Sequence, residues 1–336
     1  MRRTALLQLV IDATFKLIKE GCKMSIITLL QGLKRQLALT AVGAVTVAAP
    51  VLAEPIKVGV GVDPGYVSFF VANQEKLFEK NGVEVKFTTF ASGPEALDAI
   101  IAGTVDVAAA AEVSTIIRMG RGDISAVGVV NQSGQFLKMA GKGDINDPTA
   151  IKSLGVVPGG AMEYLANLTI KKYGLDTSKL KIVKAGPPEM SALLLRGDID
   201  AFWLFEPFPS VAVKQGGKIL ARSGDVGYVY NFWVSANGEW INANQPKLKA
   251  ITTALAEACE IARNDPQRAA ESVRKQAKIP LEQTLEFLKQ IECKMRDFTD
   301  ADFQSYDSVA NFLVDAKITP ALVDYKPKVI RGFYKP

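Results

Sequence analysis

Ten residues in the turns of this chain have the chemistry to bind a small molecule. Glycine and other small residues at the start of a helix leave backbone N–H groups free, and the positive helix end favours an anion. Carboxylates at such turns would attract an ammonium group, and aromatic side chains would form apolar walls. The candidates are Tyr66, Ser92, Gly93, Glu112, Gly159, Gly160, Ala161, Glu189, Trp203 and Glu206.

Several of these candidates also fit a purely structural interpretation. Gly159 and Gly160 suit an ordinary turn, because glycine accepts a positive φ, and Ser92 suits the cap of its helix. Alternation along a strand sends successive side chains to opposite faces, so Trp203 belongs either to a core or to a pocket. Glu206, at the end of that strand, either faces the ligand cleft or pairs with a nearby lysine.

Glu112 and Glu189 bear on the chemistry of the ligand. Both lie on turns that should face it, and a carboxylate near an anion is unfavourable unless a cation lies between them. No arginine stands in such a turn, although Arg118 and Arg121 are close to one. A zwitterion or an amine-bearing ring therefore fits these glutamates better than a simple oxyanion does.

Catalysis and metal binding are limited by the absence of histidine from the whole chain. Histidine is the usual general base, the usual activator of a nucleophile and the commonest metal ligand. Beyond residue 53 the two cysteines, Cys259 and Cys293, are too far apart in sequence for a zinc motif. They either pair in an oxidising compartment or stay as buried thiols. The composition therefore argues against an enzyme and against a metal or cofactor site.

An export signal is predicted at the N-terminus. Residues 37–53 form an uncharged apolar run that follows Lys34 and Arg35 and ends at Ala53 with small residues. The run is short for a membrane span, which needs about 20 apolar residues. We expect cleavage after Ala53 and a translation start at Met24, because the residues before Met24 would make an unusually long positive end.

The basic character of the chain belongs to this export segment. Seven of its 40 lysines and arginines and two of its 35 acidic residues lie before residue 54, which leaves 33 of each in the rest. A net charge of zero gives no electrostatic reason to expect nucleic acid or an anionic membrane as a partner. The remaining residues suffice for two lobes of ordinary size.

Beyond the signal, hydrophobic patterns alternate between strands and helices, and the alternation restarts near residue 153. Successive β–α–β units predict parallel sheets with right-handed crossovers, so we expect two doubly wound α/β lobes and a helical tail. Ligands in such folds lie beyond the carboxyl ends of the strands. The predicted strands are 56–62, 83–90, 105–110, 124–131, 153–157, 180–184, 199–204, 218–221 and 228–235. The tail helices are 246–264, 265–276, 280–289 and 300–316.

Three segments carry a resemblance to a known family. They are SGPEALDAIIAGTVDVAAA (residues 92–110), PGGAMEYLANLTIKKYGLD (158–176) and RGDIDAFWLFEPFPSVA (196–212). Their order and spacing resemble the taurine, sulfonate and nitrate type of periplasmic binding protein, whose domain is shared with thiamine-pyrimidine proteins. The resemblance covers nearly the whole chain beyond the signal.

The resemblance implies a periplasmic solute-binding component of an ABC importer, with a permease and an ATPase as partners and a monomer as its default state. The implied fold is a type II clamp of two lobes joined by two hinge strands, which closes on its ligand. Lobe one would comprise residues 54–133 and 228–336, and lobe two residues 134–227. The expected ligand is taurine or another small sulfonate; the alternatives are an amine-bearing heterocycle of the thiamine-precursor kind and an enzyme on the same fold.

Overall fold

The chain folds into two β-sheets, each flanked by helices, in a computed structural model that describes residues 54–335. The predicted export signal, with Met24 and the cleavage after Ala53, lies outside the described residues. Within residues 54–335, no helix is both long enough and apolar enough to cross a membrane.

The strands and helices of the described part follow one another in mostly alternating order. The strands are β1 (Ile56–Gly61), β2 (Val85–Phe90), β3 (Val107–Ala111), β4 (Ser125–Ser133), β5 (Lys138–Gly141), β6 (Ser153–Val156), β7 (Lys181–Lys184), β8 (Ala201–Leu204), β9 (Lys218–Arg222), β10 (Tyr230–Ala236) and β11 (Glu292–Arg296). The helices are α1 (Val67–Gln74), α2 (Leu77–Lys80), α3 (Gly93–Ile101), α4 (Glu112–Met119), α5 (Ala161–Tyr173), α6 (Pro187–Arg196), α7 (Phe208–Lys214), α8 (Gly238–Asn264), α9 (Pro266–Ala277), α10 (Leu281–Leu288) and α11 (Asp300–Asp315).

The first sheet has the strand order β11-β4-β10-β3-β1-β2. As the alternating pattern predicts, β1 pairs in parallel with β2 and β3. In contrast, β10 is antiparallel to β3 and β4, and β11 is antiparallel to β4. The sheet is therefore mixed, whereas the alternating pattern by itself predicts parallel strands. Since β4 leads towards the second sheet and β10 returns from it, these neighbours run in opposite directions.

The second sheet has the strand order β7-β6-β8-β5-β9. From one edge to the central strand the pairing is parallel, because β6 pairs in parallel with both β7 and β8. On the other side, β5 is antiparallel to both β8 and β9. The sequence analysis does not predict β5, because its four residues are too few to show a period. It also does not predict the five-residue edge strand β11.

Two connections join the sheets. The chain leaves β4 at Ser133 and enters β5 at Lys138, and it leaves β9 at Arg222 and enters β10 at Tyr230. We call the six-stranded sheet with its helices lobe one, and the five-stranded sheet with its helices lobe two. The predicted lobe boundaries, between residues 133 and 134 and between 227 and 228, fall within these connections and stay predictions.

Two of the predicted helices differ in the structure. Residues 68–80 have the periodicity of one helix, but the structure divides them into α1 and α2, because Lys76 adopts the left-handed conformation with φ of 54°. The helix expected from residue 246 begins at Gly238 and is kinked at Asn244. Pro246 follows this kink, as expected for a residue that cannot continue the hydrogen bonding of a helix interior.

A disulfide links α8 to β11 through Cys259 and Cys293, whose Cα atoms are 5.2 Å apart. Both cysteines are buried. Of the two alternatives that the sequence leaves open, the structure adopts the disulfide, which fits an oxidising compartment. The bond links β11, the edge strand of lobe one, covalently to α8, the longest helix of that lobe.

Candidate functional site

A cavity of about 70 Å³ lies between the lobes, beyond the carboxyl ends of β1, β3 and β6. This volume has room for roughly five water molecules, which suits a small ligand. Most of its lining is apolar: Tyr66, Pro94, Ala111, Phe136, Leu137, Val157, Pro158, Met162, Pro187, Phe205, Tyr230 and Phe232. The remaining lining residues are Asp63, Ser92, Gly93, Ser114, Gly160 and Ala161.

The N-terminus of α3 reaches the cavity through Ser92 and Gly93. A Cβ at Gly93 would come 2.9 Å from the Cβ of Ala110, so glycine lets the helix pack directly on β3. Ser92 occupies the N-cap position, but its hydroxyl donates to Glu95 Oε1 at 3.2 Å and does not cap the helix. The predicted capping role is therefore wrong, whereas a contact between Ser92 and the ligand stays a prediction.

The N-terminus of α5 reaches the cavity from lobe two through Gly160 and Ala161. The backbone N–H groups of Gly160, Ala161 and Met162 have no partner among residues 54–335. A Cβ on Gly160 would lie 2.6 Å from Ser114 Oγ, so glycine permits this close approach to lobe one. Free N–H groups at the positive end of a helix make this turn suitable for an anion.

Ser114 on α4 is a lining residue that the sequence analysis does not single out. Its side chain is buried at 3% exposure, and its hydroxyl forms no hydrogen bond within the described part of the chain. Buried hydroxyl groups normally have a partner. The Ser114 hydroxyl is therefore available to a ligand from lobe one, beside the free N–H groups of Gly160 and Ala161.

Aromatic rings form the wall of the cavity on the lobe one side. The hydroxyl of Tyr66 donates to the Ala109 carbonyl at 2.7 Å, and that of Tyr230 donates to Asn131 Oδ1 at 2.7 Å. The ring of Phe232 packs edge-on against Tyr66, with 5.1 Å between ring centroids. Burial raises the pKa of both tyrosines well above 10, so this wall is neutral and offers the ligand ring surface.

Asp63 adds a carboxyl group to this wall, at a position that the sequence analysis passes over. Its side chain is 7% exposed, and Oδ1 accepts the Gly65 N–H at 2.8 Å, which caps the short turn Pro64–Tyr66. Burial raises the pKa of Asp63 to about 7, although the Gly65 N–H acts to lower it. The available signal was Asp-Pro-Gly directly after a strand, but this pattern is equally typical of a plain turn.

Among the described residues, no lysine or arginine lines the cavity. Arg118 on α4 binds Asp98 through Nε at 2.8 Å and Nη2 at 2.9 Å, and it donates to the Gly159 carbonyl at 3.0 Å. Lys138 is buried against Glu206, with 2.5 Å between Nζ and Oε1. Because these neighbouring cations already form ion pairs within the protein, an anion in the cavity would be bound by backbone N–H groups and hydroxyls.

Two predicted site residues, Gly159 and Glu189, lie outside the cavity lining. The N–H of Gly159 donates to Glu163 Oε2 at 2.8 Å, and its φ of 80° explains the glycine by turn geometry. Glu189 is exposed in the first turn of α6, where a carboxylate favours the helix end. The structure therefore accounts for both residues without a ligand, and their contact with the ligand stays a prediction.

Trp203 and Glu206 are also turned away from the cavity. Trp203 lies in β8, the central strand of the second sheet, so both of its faces are covered and the indole Nε1 donates to Thr169 Oγ1 at 2.7 Å. From this segment, Phe205, just past the strand, is the residue whose ring reaches the cavity. Glu206 pairs with Lys138. Both side chains thus have partners within the protein, and their contacts with the ligand stay predictions.

Glu112, the first residue of α4, is fully buried outside the cavity lining. Its Oε2 accepts the Asn231 N–H of β10 at 2.9 Å. Burial raises the pKa of Glu112 to about 7, although the Tyr228 hydroxyl and the Asn231 N–H act to lower it. This carboxyl group binds the backbone of the returning strand β10, and its predicted contact with the ligand stays a prediction.

The sequence matches a family model described as the NMT1-like family over residues 52–276, well over half of the chain. This chain belongs to the NMT1-like family. The NMT1-like protein is 22% identical to a protein of Escherichia coli (strain K12) that is provisionally named an aliphatic sulfonates-binding protein. That match covers 70% of this chain and 76% of the relative.

Solved structures share the fold of this NMT1-like protein. The alkanesulfonate-binding protein SsuA from Xanthomonas axonopodis pv. citri, bound to MOPS, matches with a TM-score of 0.74 at 16% identity, over 83% of this chain and 98% of that one. The periplasmic nitrate-binding protein NrtA from Synechocystis PCC 6803 matches with a TM-score of 0.68 at 17% identity, over 81% and 84%. The family resemblance and the two-lobed α/β fold predicted from the sequence are confirmed.

Proposed function

We propose that this protein is the solute-binding component of an ABC importer, that it works in the periplasm, and that it binds a small organic anion or zwitterion between its lobes. The observation that carries the proposal is the cavity, where apolar walls meet two helix N-termini. Relatives named for sulfonate and nitrate binding support the same class of ligand. The ligand of first choice is taurine or another small sulfonate.

The anionic group is assigned to the ends of α3 and α5. A sulfonate has three acceptor oxygens, and the turns around Gly93, Gly160 and Ala161 offer N–H donors. The hydroxyls of Ser92 and Ser114 stand beside them. Hydrogen bonds to an ionised acceptor are roughly twice as strong as neutral ones, so a few such bonds suffice without an arginine.

Closure follows from the placement of these two helices. The N-terminus of α3 belongs to lobe one and that of α5 to lobe two, so one anion that binds both would hold the lobes together. A ligand that binds the closed arrangement better shifts the population towards it. In the proposed role, the closed, loaded protein docks on the permease, and the ATPase drives release of the ligand into the membrane channel.

An amine-bearing heterocycle is the second candidate, and the buried Asp63 favours it. A carboxyl group beside Tyr66, Tyr230 and Phe232 would suit a ring that carries an amino group. An enzyme on this fold is disfavoured, because the chain has no histidine to act as a general base or to activate a nucleophile.

Thermal unfolding of the protein purified from the periplasm of an expressing bacterium tests the proposal. The panel contains taurine, propane-1-sulfonate, nitrate, bicarbonate and 4-aminopyrimidine. A true ligand raises the melting temperature with the logarithm of its concentration, and at a hundredfold excess over Kd it adds about 2.7 kcal/mol. Stabilisation by either sulfonate supports the proposal. Stabilisation by the aminopyrimidine alone supports the second candidate, and no stabilisation by any compound contradicts both.

A further inference from the structure

Asp63 has an oxygen with no partner in the described structure. Oδ1 accepts the Gly65 N–H, which satisfies the cap of the turn. Oδ2 forms no hydrogen bond within residues 54–335, although the side chain is more than nine-tenths buried and lines the cavity. Burying a carboxylate oxygen without a partner is unfavourable, so a hydrogen-bond donor at Oδ2 would be favourable.

Apart from the backbone N–H of Asp63 itself, which acts with that of Gly65 to lower the pKa of this carboxyl group, the described residues supply no further donor. The hydroxyls of Tyr66 and Tyr230, which line the same cavity, donate elsewhere, one to the Ala109 carbonyl and the other to Asn131 Oδ1. No lysine or arginine lines the cavity within the described part. Because both phenol hydrogens are used elsewhere, the partner of Oδ2 has to come from the cavity.

We propose that Asp63 binds a positively charged amine of the ligand, whose anionic group lies at the N-termini of α3 and α5. The inference rests on the proposed function and names the ligand class more closely, as a zwitterion with an amine at one end and an oxyanion at the other. Asp63 follows β1, whereas Ser114 and Gly160 belong to the proposed anion site, and all three line the same cavity. Asp63 is thus a specificity-determining residue.

The pH dependence of binding follows from this pairing. Burial raises the pKa of free Asp63 to about 7, and an ammonium group would stabilise the ionised form and lower it. The titratable groups that face Asp63 are Tyr66 and Tyr230, which stay neutral because their pKa values are well above 10. Affinity for an amine is therefore expected to rise as the pH increases through 7. For a sulfonate without an amine, the opposite trend is expected.

Calorimetric titration with matched ligands tests the inference. Propane-1-sulfonate has a methyl group where taurine has its ammonium, and butyrate differs from β-alanine in the same way. The wild-type protein should bind the amine of each pair roughly ten- to a hundredfold more tightly, as for one hydrogen bond to a charged group. Asp63→Asn keeps an oxygen for the Gly65 N–H and should remove this preference while retaining propane-1-sulfonate.

Asp147→Asn is the matched control. Asp147 also precedes a proline, and its Oδ1 accepts the Thr149 N–H at 2.8 Å to cap a similar short turn, but it lies outside the cavity lining. The variant should keep the preference for amines. Equal affinity for both members of each pair in the wild type, or an unchanged preference in Asp63→Asn, would overturn the inference and leave the proposed function standing. If none of the four compounds binds, the proposed ligand class fails together with the inference.

Discussion

The Arg118 guanidinium of lobe one donates a hydrogen bond of 3.0 Å to the Gly159 carbonyl of lobe two. Two further hydrogen bonds to the Asp98 carboxylate hold the guanidinium in place. Gly159 directly precedes Gly160, whose N–H faces the cavity. The bond therefore joins the lobes at the pole assigned to the anion, and it stabilises the closed arrangement without occupying the cavity.

Removal of this bond should destabilise the closed state. Arg118→Gln is expected to weaken taurine binding roughly tenfold, as for one charge-assisted hydrogen bond, and mainly to speed dissociation, because most affinity changes within one interface appear there. Stopped-flow measurement of the dissociation rate checks this. Arg121→Gln, at an exposed position three residues on, is the control and should leave the rate unchanged. Equal rates in the wild type and Arg118→Gln would contradict the role of the bond.

The disulfide should stabilise the fold without changing the affinity for the ligand. The bond between Cys259 and Cys293 closes a loop with a sequence separation of 34 residues, for which chain entropy predicts about 3 to 4 kcal/mol. Urea unfolding with and without reductant measures this difference. Neither cysteine lines the cavity, so taurine affinity of the folded, reduced protein should stay within about twofold. The same unfolding midpoint in both conditions would contradict the prediction.

Two buried carboxyl groups predict how stability depends on pH. Folding raises the pKa of Asp63 from 3.8 to about 7 and that of Glu112 from 4.5 to about 7. A group whose pKa is raised by folding contributes stability that is complete below its unfolded pKa and is lost as the pH rises through its folded pKa. The ligand-free protein should therefore become more stable as the pH falls from 8 to 5.

Urea midpoints between pH 5 and pH 8 measure this trend, and Glu112→Gln should flatten it in part. Asp302 does not affect this trend between pH 5 and pH 8, because its pKa is lowered and its contribution to stability is lost only at more acidic pH. A wild-type midpoint that does not vary with pH, or an identical slope in Glu112→Gln, would contradict the assignment.

The buried ion pair of Lys138 and Glu206 should matter for the stability of lobe two. Lys138→Met would leave the Glu206 carboxylate buried without its cation, which costs about 3 to 5 kcal/mol, whereas replacing both charges is often close to neutral. A double-mutant cycle of Lys138→Met and Glu206→Gln, followed by urea unfolding, measures the coupling. If the free energy of unfolding fell by less than about 1 kcal/mol in Lys138→Met alone, the ion pair would be dispensable for stability.

The sequence predicts those parts of the fold that depend on local patterns. The β-branched run of β1 and the glycines that end α4, α5 and α6 give strong signals, so the alternating α/β order can be predicted. Lys138–Gly141 is too short to show a period, and in Glu292–Arg296 the inward positions are taken by only Cys293 and Met295. Both strands are defined by pairing with distant strands, which a local pattern does not contain.

The candidate site shows the same limit at the level of single residues. Two glycines before a helix indicate the turn that contains Gly160, but the sequence does not tell Gly160, which lines the cavity, from Gly159, which does not. Asp63 was missed because its burial depends on Tyr230 and Phe232, far along the chain on β10. Trp203 could not be placed from the sequence, because alternation decides between two faces only when one of them is exposed, and in the central strand β8 both are buried.

The most direct test of the proposed site is the taurine affinity of two variants at Ala161, the first residue of α5. Ala161→Asp and Ala161→Asn add side chains of equal size to the cavity, so the difference between them reports the effect of charge alone. If the anion lies at this helix end, calorimetry should show at least about a hundredfold weaker binding in the aspartate variant than in the asparagine variant, equivalent to roughly 2.7 kcal/mol. Equal affinities in the two variants would contradict the placement of the anion at α5.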